Sequence, residues 1–359
     1  ENVFVVDGQE VTNFRTGTLN SNNNLPFELL QEVQVKSTGF EAEYGGATGG
    51  VINAVTAGGN NAWHGNFGVS FRPAGIQGDR TQSLNRYGTG AGEFEYFDRP
   101  NDGGTNYYPV GSFSGPIIKD KFWGLLSYAP QIVETSRPIT YYSSDDPSRT
   151  VTDFQEVNQT FKTEQAFARL DGQPTSNLRM FGTFLWNPII QDGALPGTTA
   201  GLQTSSPTQS VSTWAEQGGR QNSNAVNGQA TYTPTSWNIV NFRVGRSFLN
   251  QKLGSYAIPV ETRYRCIVGD GVNCNSGFSS IPNNFANSKD VSTRTTFDVD
   301  SSFVGVNAGG RHNIKVGYQY NRLFNDVEQG YPVVGQTRIW YGFNIIDFIG
   351  TRGGTITTD

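Results

Sequence analysis

From Trp63 onward, the sequence alternates apolar and polar residues in runs whose period is two residues. In the clearest run, 312–324, Ile314, Val316 and Tyr318 fall on one face and polar side chains fall on the other. Such alternation is typical of β-strands that separate two different environments. The sequence therefore predicts nine strands, at 64–72, 110–118, 122–131, 161–171, 177–186, 225–233, 238–248, 293–303 and 312–324.

The gaps between these runs alternate in length. The long gaps are 73–109, 132–160, 188–224 and 249–291, and the short ones are 119–121, 172–176, 234–236 and 305–310. This order predicts an up-and-down meander with large loops at one rim and tight turns at the other, which is the asymmetry of outer-membrane barrels. A soluble sandwich does not require loops sorted by length, so the pattern favours the membrane barrel over that alternative.

The two faces of the predicted strands support a barrel. One face is apolar and aromatic, and the other carries Asn, Gln, Arg, Asp, Lys and Gly, which suits a wet lumen better than a dry core. Charged residues make up only 16% of the chain and aromatic residues 13%. No stretch is apolar for long enough to form a membrane-spanning helix. We expect an all-β chain forming a transmembrane antiparallel up-and-down β-barrel.

An odd number of strands cannot close such a barrel, and an open edge in lipid leaves backbone groups unpaired. The chain also begins without an initiator Met or a signal peptide. We therefore expect the barrel to be incomplete in this chain and the chain to be a segment of a larger protein.

Charge and histidine content exclude several function classes. The net charge of −5 argues against a nucleic-acid surface, so we predict no nucleic-acid partner. The chain has only two histidines, His64 and His312, and both are expected at strand rims. Because no nucleophile–base or metal-ligand set can be assembled from them, we predict no enzyme, no cofactor and no metal site.

The two cysteines, Cys266 and Cys274, lie close together in a Gly/Asn-rich segment. In an oxidising compartment this spacing predicts a loop-closing disulfide, with two free thiols as the alternative. Asp270, Asn273 and Asn275 in the same segment offer oxygen ligands, but their spacing is not that of an EF-hand. The disulfide is therefore the stronger prediction for this segment.

A glycine-rich stretch, 39–65, surrounds a short apolar strand at 51–55. Glycine permits positive φ and close backbone approach, so the stretch predicts a compact β element wedged against other backbone. Its cluster at 45–50 lacks the Lys-Ser/Thr ending of a phosphate-binding loop. A structural role for these glycines is the stronger reading.

Several motifs together resemble TonB-dependent outer-membrane receptors, at the end of their plug domain and the start of their barrel. The matching residues are Val5-Val6-Asp7-Gly8, Val11-Thr12, Leu25-Pro26-Phe27, Glu32-Val33-Gln34-Val35-Lys36, Glu41-Ala42-Glu43-Tyr44-Gly45, Gly49-Gly50-Val51-Ile52-Asn53 and Trp63-His64-Gly65. A further run, Gly115-Pro116-Ile117-Ile118-Lys119-Asp120-Lys121-Phe122-Trp123, is similar to the Oar-like subgroup. The resemblance implies two regions: residues 1–62 as the C-terminal part of a plug and residues 63–359 as the N-terminal part of the barrel.

The resemblance also implies a biological role. A complete protein of this kind would have a signal peptide, a TonB box, a plug and a barrel of about 22 strands. It would sit in outer-membrane lipid of a Gram-negative bacterium, with its loops extracellular and its turns periplasmic. Its partner would be the TonB-ExbB-ExbD energising complex. The implied function is plug-gated active uptake of a bulky ligand, such as a siderophore, peptide or glycan. The alternatives are a surface adhesion or assembly protein that binds partners through its long loops, and a soluble carbohydrate-binding β protein.

Within the plug region, the resemblance marks a structural motif and its contacts. The motif residues are Gly39, Glu41, Glu43, Tyr44, Gly45, Gly49, Gly50 and Asn53. Glu41, Glu43 and Tyr44 are expected to hydrogen-bond to the barrel wall, with solvation in the lumen as the alternative.

Two further groups of side chains carry expectations about the barrel wall. Four arginines on or near the strands are candidates to face plug carboxylates across the lumen, or to be simply solvated: Arg169, Arg179, Arg243 and Arg294. Six aromatic residues near strand ends are candidates for girdles at the membrane interfaces, with ordinary packing as the alternative: Trp63, Tyr108, Trp123, Trp186, Trp237 and Tyr318.

Overall fold

The structure is a computed structural model of the whole chain. It describes residues 2–14, 17–19, 25, 29–39, 47–86, 94–97, 100–142, 151–195, 215, 217–254, 261–266, 278–279, 287–307, 309–330 and 336–341. Their regular structure is almost entirely β, with one short 3₁₀-helix at Ala74–Ile76. None of the helices in these ranges has the length and apolar character needed to cross a membrane.

The first part of the chain forms a four-stranded sheet, called here the small sheet. Its strands are β1 Asn2–Val6, β2 Gln9–Glu10, β3 Leu30–Lys36 and β4 Gly50–Thr56. Their order is β2-β1-β4-β3, with β1 parallel to β4 and the other pairs antiparallel. The central strand β4 is the apolar run predicted from the glycine-rich stretch. Its Val51 is fully buried.

The rest of the chain builds a twelve-stranded antiparallel sheet, called here the large sheet. The strands after the small sheet, including five that lie outside the large sheet, are β5 His64–Pro73, β6 Ser83–Arg86, β7 Phe94–Phe97, β8 Thr105–Ile118, β9 Phe122–Tyr128, β10 Gln131–Tyr142, β11 Val151–Thr163, β12 Ala166–Thr175, β13 Leu178–Trp186, β14 Ile189–Asp192, β15 Gly218–Thr235, β16 Asn238–Gly254, β17 Glu261–Cys266, β18 Phe278–Ser279, β19 Asn287–Asn307, β20 Arg311–Gly330 and β21 Gln336–Tyr341. Strands β6 and β7 form a separate hairpin, and β17, β18 and β21 form a separate three-stranded sheet.

Three strands of the large sheet are interrupted at adjacent positions. The interruptions separate β9 from β10, β11 from β12, and β13 from β14. Backbone hydrogen bonds continue through them, from Ala129 N–H to Gln165 O (2.8 Å) and from Glu164 N–H to Pro188 O (2.9 Å). Each interrupted pair therefore acts as one long strand, and the sheet follows the nine-strand meander that the alternating runs predict.

The large sheet differs from the sequence-based expectation in the length of its strands. The gap 132–160 was expected to be a polar loop, but β10 and β11 occupy most of it and pair residue by residue. Strands β16 and β19 likewise extend into the gap 249–291. The period-two pattern fails there because the strands are broken at 129–130 and because both faces of the extensions carry polar residues.

The two faces of the large sheet differ as predicted. On the face turned away from the small sheet, large apolar side chains are exposed: Phe67 is 84% exposed and Leu170 is 61% exposed. On the face turned toward the small sheet, Arg169, Thr183 and Asn227 are buried. These are called the outer and inner faces below.

Four of the six girdle candidates lie on the outer face, and two do not. Trp63 stacks on Phe113 and Trp237 stacks on Phe303, both near the short turns. Trp123 is wrong as a girdle residue, since its indole Nε1–H donates to Asn61 of the segment that leads out of the small sheet. The girdle prediction is also wrong for Tyr108. Tyr108 and Phe113 are separated by an odd number of positions on β8, so Tyr108 lies on the inner face.

Candidate functional site

The candidate site is the junction where the small sheet meets the inner face of the large sheet. It begins at the β1–β2 turn, where Asp7 and Gly8 both have positive φ, 49° and 81°. Asp-Gly is the preferred pair for a two-residue hairpin turn of this kind. The turn presents the buried side chain of Asp7 toward the end of β4.

Thr56, the last residue of β4, binds the Asp7 carboxylate twice. Its backbone N–H donates to Oδ1 at 2.9 Å, and its hydroxyl donates to Oδ2 at 2.7 Å. Thr56 itself is fully buried. The two ends of the parallel β1–β4 pair are thereby fastened to each other.

Arg169 of β12 joins this pair to the large sheet. Its Nη1 donates to the backbone oxygen of Thr56 at 3.0 Å and to the Thr56 hydroxyl at 2.8 Å. The same nitrogen lies 3.5 Å from Asp7 Oδ1. On its other side, the guanidinium donates to Asp171 from Nε and from Nη2, the latter at 2.8 Å. It also lies over the ring of Phe181, at 4.3 Å from the ring centroid, in cation–π geometry.

The electrostatics of this junction depend on the arginine. Two carboxyl groups, those of Asp7 and Asp171, lie against one guanidinium. Burial raises the pKa of Asp7 above its ordinary value, and the hydrogen bonds from Thr56 and the charge of Arg169 oppose that shift. Arg169 is therefore the counter-ion that allows a charged Asp7 to be buried.

The segment that follows β4 makes a second contact with the large sheet. A Cβ added to Gly59 would lie 2.7 Å from Trp123 Cβ and 2.9 Å from the backbone oxygen of Gly124. The Gly59 N–H donates to Asp171 at 3.3 Å. Asn61 then accepts hydrogen bonds from Trp123 Nε1 and from the Asp120 N–H. Glycine at position 59 permits the close backbone approach that the glycine-rich stretch predicts.

Strand β2 makes a third contact, with β16 and β19. Glu10 pairs with Arg294 at 2.8 Å, and Arg294 also donates to the Glu10 backbone oxygen. The side chain of Gln9 lies against Gly245, where an added Cβ would be 2.5 Å from Gln9 Cδ. The small sheet is therefore held at several separate points along the inner face.

One part of the junction is apolar. Leu29, which is 2% exposed, packs in one cluster with Leu125, Phe167, Leu185 and Ala225 of the inner face. The last three of these occupy directly paired positions on β12, β13 and β15. The inner face was predicted to be polar throughout, and that prediction is wrong at this patch, because the small sheet covers it and excludes water.

A cavity of about 850 Å³ remains between the small sheet and strands β12 to β20. Val3, Val5 and Val55 line it from the small sheet. Charged groups line it from the large sheet, among them Arg243, whose Nη2 lies 2.8 Å from Asp300. The cavity shows that the small sheet fills only part of the space beside the inner face.

Of the four arginines that were candidates to face plug carboxylates, two contact carboxylates of the small sheet and two do not. Arg169 and Arg294 meet carboxylates of the small sheet, as expected. Arg243 instead pairs with Asp300 on the neighbouring strand of the large sheet, while its Cδ lies 3.2 Å from where a Gly8 Cβ would be. Arg179 is exposed. Asp7 and Thr56 were not singled out from sequence as contacts of the wall, although the Asp-Gly pair was visible as a turn signal.

The structure describes four of the eight residues of the predicted plug motif. Gly39 has φ +68°, Gly50 lies against the backbone oxygen of Lys36, and Asn53 lines the cavity from β4. Glu41, Glu43, Tyr44 and Gly45 lie outside the described residues, so their expected contacts with the wall stay predictions. Gly49 lies in the bend before β4.

The described residues do not include both cysteines, but they can be searched for metal-ligand groups. Cys274 lies outside the described residues, as do Asp270, Asn273 and Asn275, so the disulfide to Cys266 stays a prediction. In the described part of the chain, no three His, Cys, Asp or Glu side chains are grouped so that they hold a metal ion.

Comparison with known proteins gives two similarities. Over 155 residues the chain is 31% identical to the TonB-dependent transporter Oar of Myxococcus xanthus, a match that covers 43% of this chain and 14% of Oar. The fold matches the crystal structure of the outer membrane transporter YddB from Escherichia coli, with a TM-score of 0.51, 13% identity, and coverage of 92% of this chain and 47% of that chain. No protein-family model matches the chain.

These similarities establish the fold class: an all-β chain whose large antiparallel sheet matches the barrel of an outer membrane transporter. Both matched proteins are named as transporters and not as enzymes, in agreement with the expectation of a non-catalytic chain. The chain spans about half of the transporter structure and a much smaller share of Oar.

Proposed function

We propose that this chain is part of a TonB-dependent outer-membrane receptor in which the small sheet belongs to a plug that gates the uptake of a bulky ligand. In this proposal residues 1–62 are the C-terminal part of the plug and residues 63–359 are the N-terminal part of the barrel. The protein belongs to the Oar-like subgroup and lies in the outer membrane of a Gram-negative bacterium, with loops extracellular and turns periplasmic.

The observation that carries the proposal is the buried junction of Asp7, Thr56, Arg169 and Asp171. It places a polar and charged contact between the small sheet and the inner face, where a plug has to be held against its barrel. Hydrogen bonds and ion pairs can be exchanged for water when the plug moves, whereas a continuous apolar interface would resist opening. The mainly polar inner face therefore suits a plug that is held firmly and released by force.

Release of the plug needs work, which the TonB-ExbB-ExbD complex supplies in this proposal. The ligand is a siderophore, a peptide or a glycan that binds to the loops and the plug on the extracellular side. The chain contributes binding, shape and gating. No bond of the ligand is made or broken.

The experiment that tests this proposal compares uptake in wild-type and deletion strains grown on candidate ligands. The proposal predicts that deletion abolishes uptake of one ligand and that collapse of the proton gradient abolishes it equally in the wild type. Unchanged uptake in the deletion strain, together with lost cell adhesion, would overturn the transporter in favour of a surface adhesion protein.

A further inference from the structure

A row of cationic side chains crosses the outer face of the large sheet. Lys162 on β11 is paired with Ile190, Ile190 with Arg220, Arg220 with Lys252, and Lys252 with Lys289. Directly paired positions place their side chains on the same face of a sheet. Lys162, Arg220, Lys252 and Lys289 are called the basic row below.

The basic row lies on the outer face because the alternate positions are buried on the inner face. On β15, Gln221 and Ser223 are 8% and 5% exposed, and on β19 Asp290 is 8% exposed. Arg220 and Lys252 are exposed, and the Lys162 and Lys289 side chains are 41% and 38% exposed. The four cations therefore face outward from the barrel wall.

Acidic side chains lie near three of the four cations, since Glu164 interacts electrostatically with both Lys162 and Arg220 and Asp326 lies beside Lys289. Lys162 lies 2.6 Å from Glu164, which also accepts a hydrogen bond from the Tyr128 hydroxyl. Lys289 lies 3.1 Å from Asp326 and is paired across the strands with Glu328. Within the described residues, no acidic side chain pairs with Lys252.

Adjacent cations in the row repel each other, and Lys252 has a cation on both sides. Arg220, Lys252 and Lys289 occupy three consecutive cross-strand positions on one face, about 4.8 Å apart. Like charges directly opposite each other destabilise a sheet. Since no acidic side chain among the described residues relieves this repulsion at Lys252, an anion bound from outside is the simplest means of relieving it.

The position of the row along the strands identifies the surroundings of that anion. An aromatic row lies nearer the short turns on the same face, at the paired positions that include Tyr128, Trp186, Phe248 and Phe324. Lys252 is four residues beyond Phe248, or about 14 Å along the strand on the long-loop side. Exposed aromatic residues mark the edge of an apolar membrane band, and headgroups lie just beyond that edge.

Two further cations lie closer to the apolar surface. Arg246 and Arg322 are both paired with Thr295, on the outer face and one row nearer the short turns than the aromatic row. Long cationic side chains at such positions bury their aliphatic stems and extend their charge toward the headgroups. Arg246 and Arg322 therefore lie just inside the apolar band, and their charged ends extend toward the aromatic row.

We propose that the basic row binds the phosphate groups of an anionic lipid headgroup in the leaflet on the long-loop side. Lys162 and Lys289 are four strand spacings apart, about 19 Å, which is wide enough for more than one phosphate. Charge-assisted hydrogen bonds from Arg and Lys are the usual means of holding phosphate. This proposal rests on the proposed function, because it requires the outer face to contact a membrane.

The test uses the full-length protein purified in a neutral detergent. Binding of bis-phosphorylated lipid A, added in mixed micelles, is compared with binding of the same lipid after its phosphates are removed. The test variant is R220Q/K252Q/K289Q. The matched control is K119Q/K121Q/R311Q, which removes three cations at the short turns on the opposite rim. Both variants are first shown to shift on an unboiled denaturing gel as the wild type does.

The proposal predicts that the test variant binds the phosphorylated lipid at least tenfold more weakly, while the control and the wild type bind alike. Equal affinity for the test variant and the wild type would overturn it. Displacement of the lipid by inorganic phosphate at low millimolar concentration would also overturn it, in favour of a free-anion site. A protein that is soluble without detergent would instead overturn the proposed function. A membrane-inserted protein indifferent to lipid phosphate would leave that function standing and remove only this inference.

Discussion

At the scale of single residues, the junction depends on Arg169. Its guanidinium contacts the backbone and hydroxyl of Thr56 on one side and the carboxylate of Asp171 on the other, with Asp7 at 3.5 Å. The arginine side chain is only 10% exposed. Its planar fork meets several acceptors in fixed directions, which a lysine ammonium cannot reproduce.

Replacement of Arg169 by alanine is expected to loosen the small sheet. It leaves the buried Asp7 and the half-buried Asp171 without their shared cation, and the loss of one partner from a buried pair typically costs about 3–5 kcal/mol. We expect R169A to make residues 1–62 more sensitive to protease and to admit a large antibiotic that wild-type cells exclude. The matched control is R179Q on the neighbouring strand, where the arginine is exposed. Equal protease sensitivity in R169A and R179Q would contradict the role of Arg169.

Gly59 offers a steric test of the same junction. G59A places a Cβ within 3 Å of Trp123 Cβ and of the Gly124 backbone, and overpacking of this kind costs about 1–3 kcal/mol. G75A is the control, since nothing lies within 4 Å of the added atom there. Thermal unfolding of the two variants should differ, with G59A less stable. A melting temperature for G59A at or above that of G75A would show that the segment is not pressed against the wall.

At the scale of elements, strand alternation predicted the fold well and failed at specific places. The nine runs all fall on strands of the large sheet, because the apolar outer face and the polar inner face impose a period of two. The strands continue past 129–130 and 187–188, where proline interrupts the run and the paired strand is interrupted too. Sequence alone did not show this continuation, because pairing between distant residues determines it.

The candidate site was less predictable than the strands. The resemblance placed Asp7-Gly8 in the plug, and Arg169 was a candidate to face a plug carboxylate or to be simply solvated. Which carboxylate it meets depends on the register of β12 against β13 and on the way the small sheet lies in the large one. Sequence alone could not distinguish Trp123 from the tryptophans on the outer face. Its hydrogen-bond partner, Asn61, lies 62 residues away in the chain.

The segment before β8 is held by the ion pairs of Asp102 with two arginines, called here the Asp102 clamp. Asp102 lies 2.8 Å from Arg137 of β10 and 3.0 Å from Arg80, and these hydrogen bonds and charges lower the pKa of Asp102 below its ordinary value. A carboxyl group with a lowered folded-state pKa stabilises the fold above its unfolded pKa of about 3.9 and loses that contribution as the pH falls through the folded value. The clamp should therefore be complete at neutral pH.

The D102N substitution removes the carboxylate charge from the Asp102 clamp at every pH. We expect protease to cut the segment around Arg80 faster in D102N than in the wild type at pH 7, because both arginines lose their ion pair with Asp102. Acidification below about pH 4 should bring the wild type toward the variant. Peptide mapping by mass spectrometry measures the difference, and identical cleavage rates at pH 7 would contradict the clamp.

At the scale of the whole molecule, the small sheet and the large sheet are joined by three polar contacts and one apolar patch. The polar contacts lie at Arg169, at Gly59 and at Arg294, and the apolar patch surrounds Leu29. The outer face is mainly apolar on the short-turn side of an aromatic row, where Arg246 and Arg322 are exceptions, and it carries the basic row on the long-loop side. The molecule thus has a mainly apolar outer face and a mainly polar inner face that holds the small sheet.

The most direct test of the central claim is the conductance of the full-length protein in planar lipid bilayers. The wild type should be closed, and the variant that lacks residues 2–56 should form a large and steady pore. R169A should open briefly, with a mean conductance between those of the wild type and the deletion variant. An unboiled gel shift for all three establishes that each has inserted as a barrel. A large steady pore in the wild type, or no increase in conductance after the deletion, would contradict a plug held by this junction.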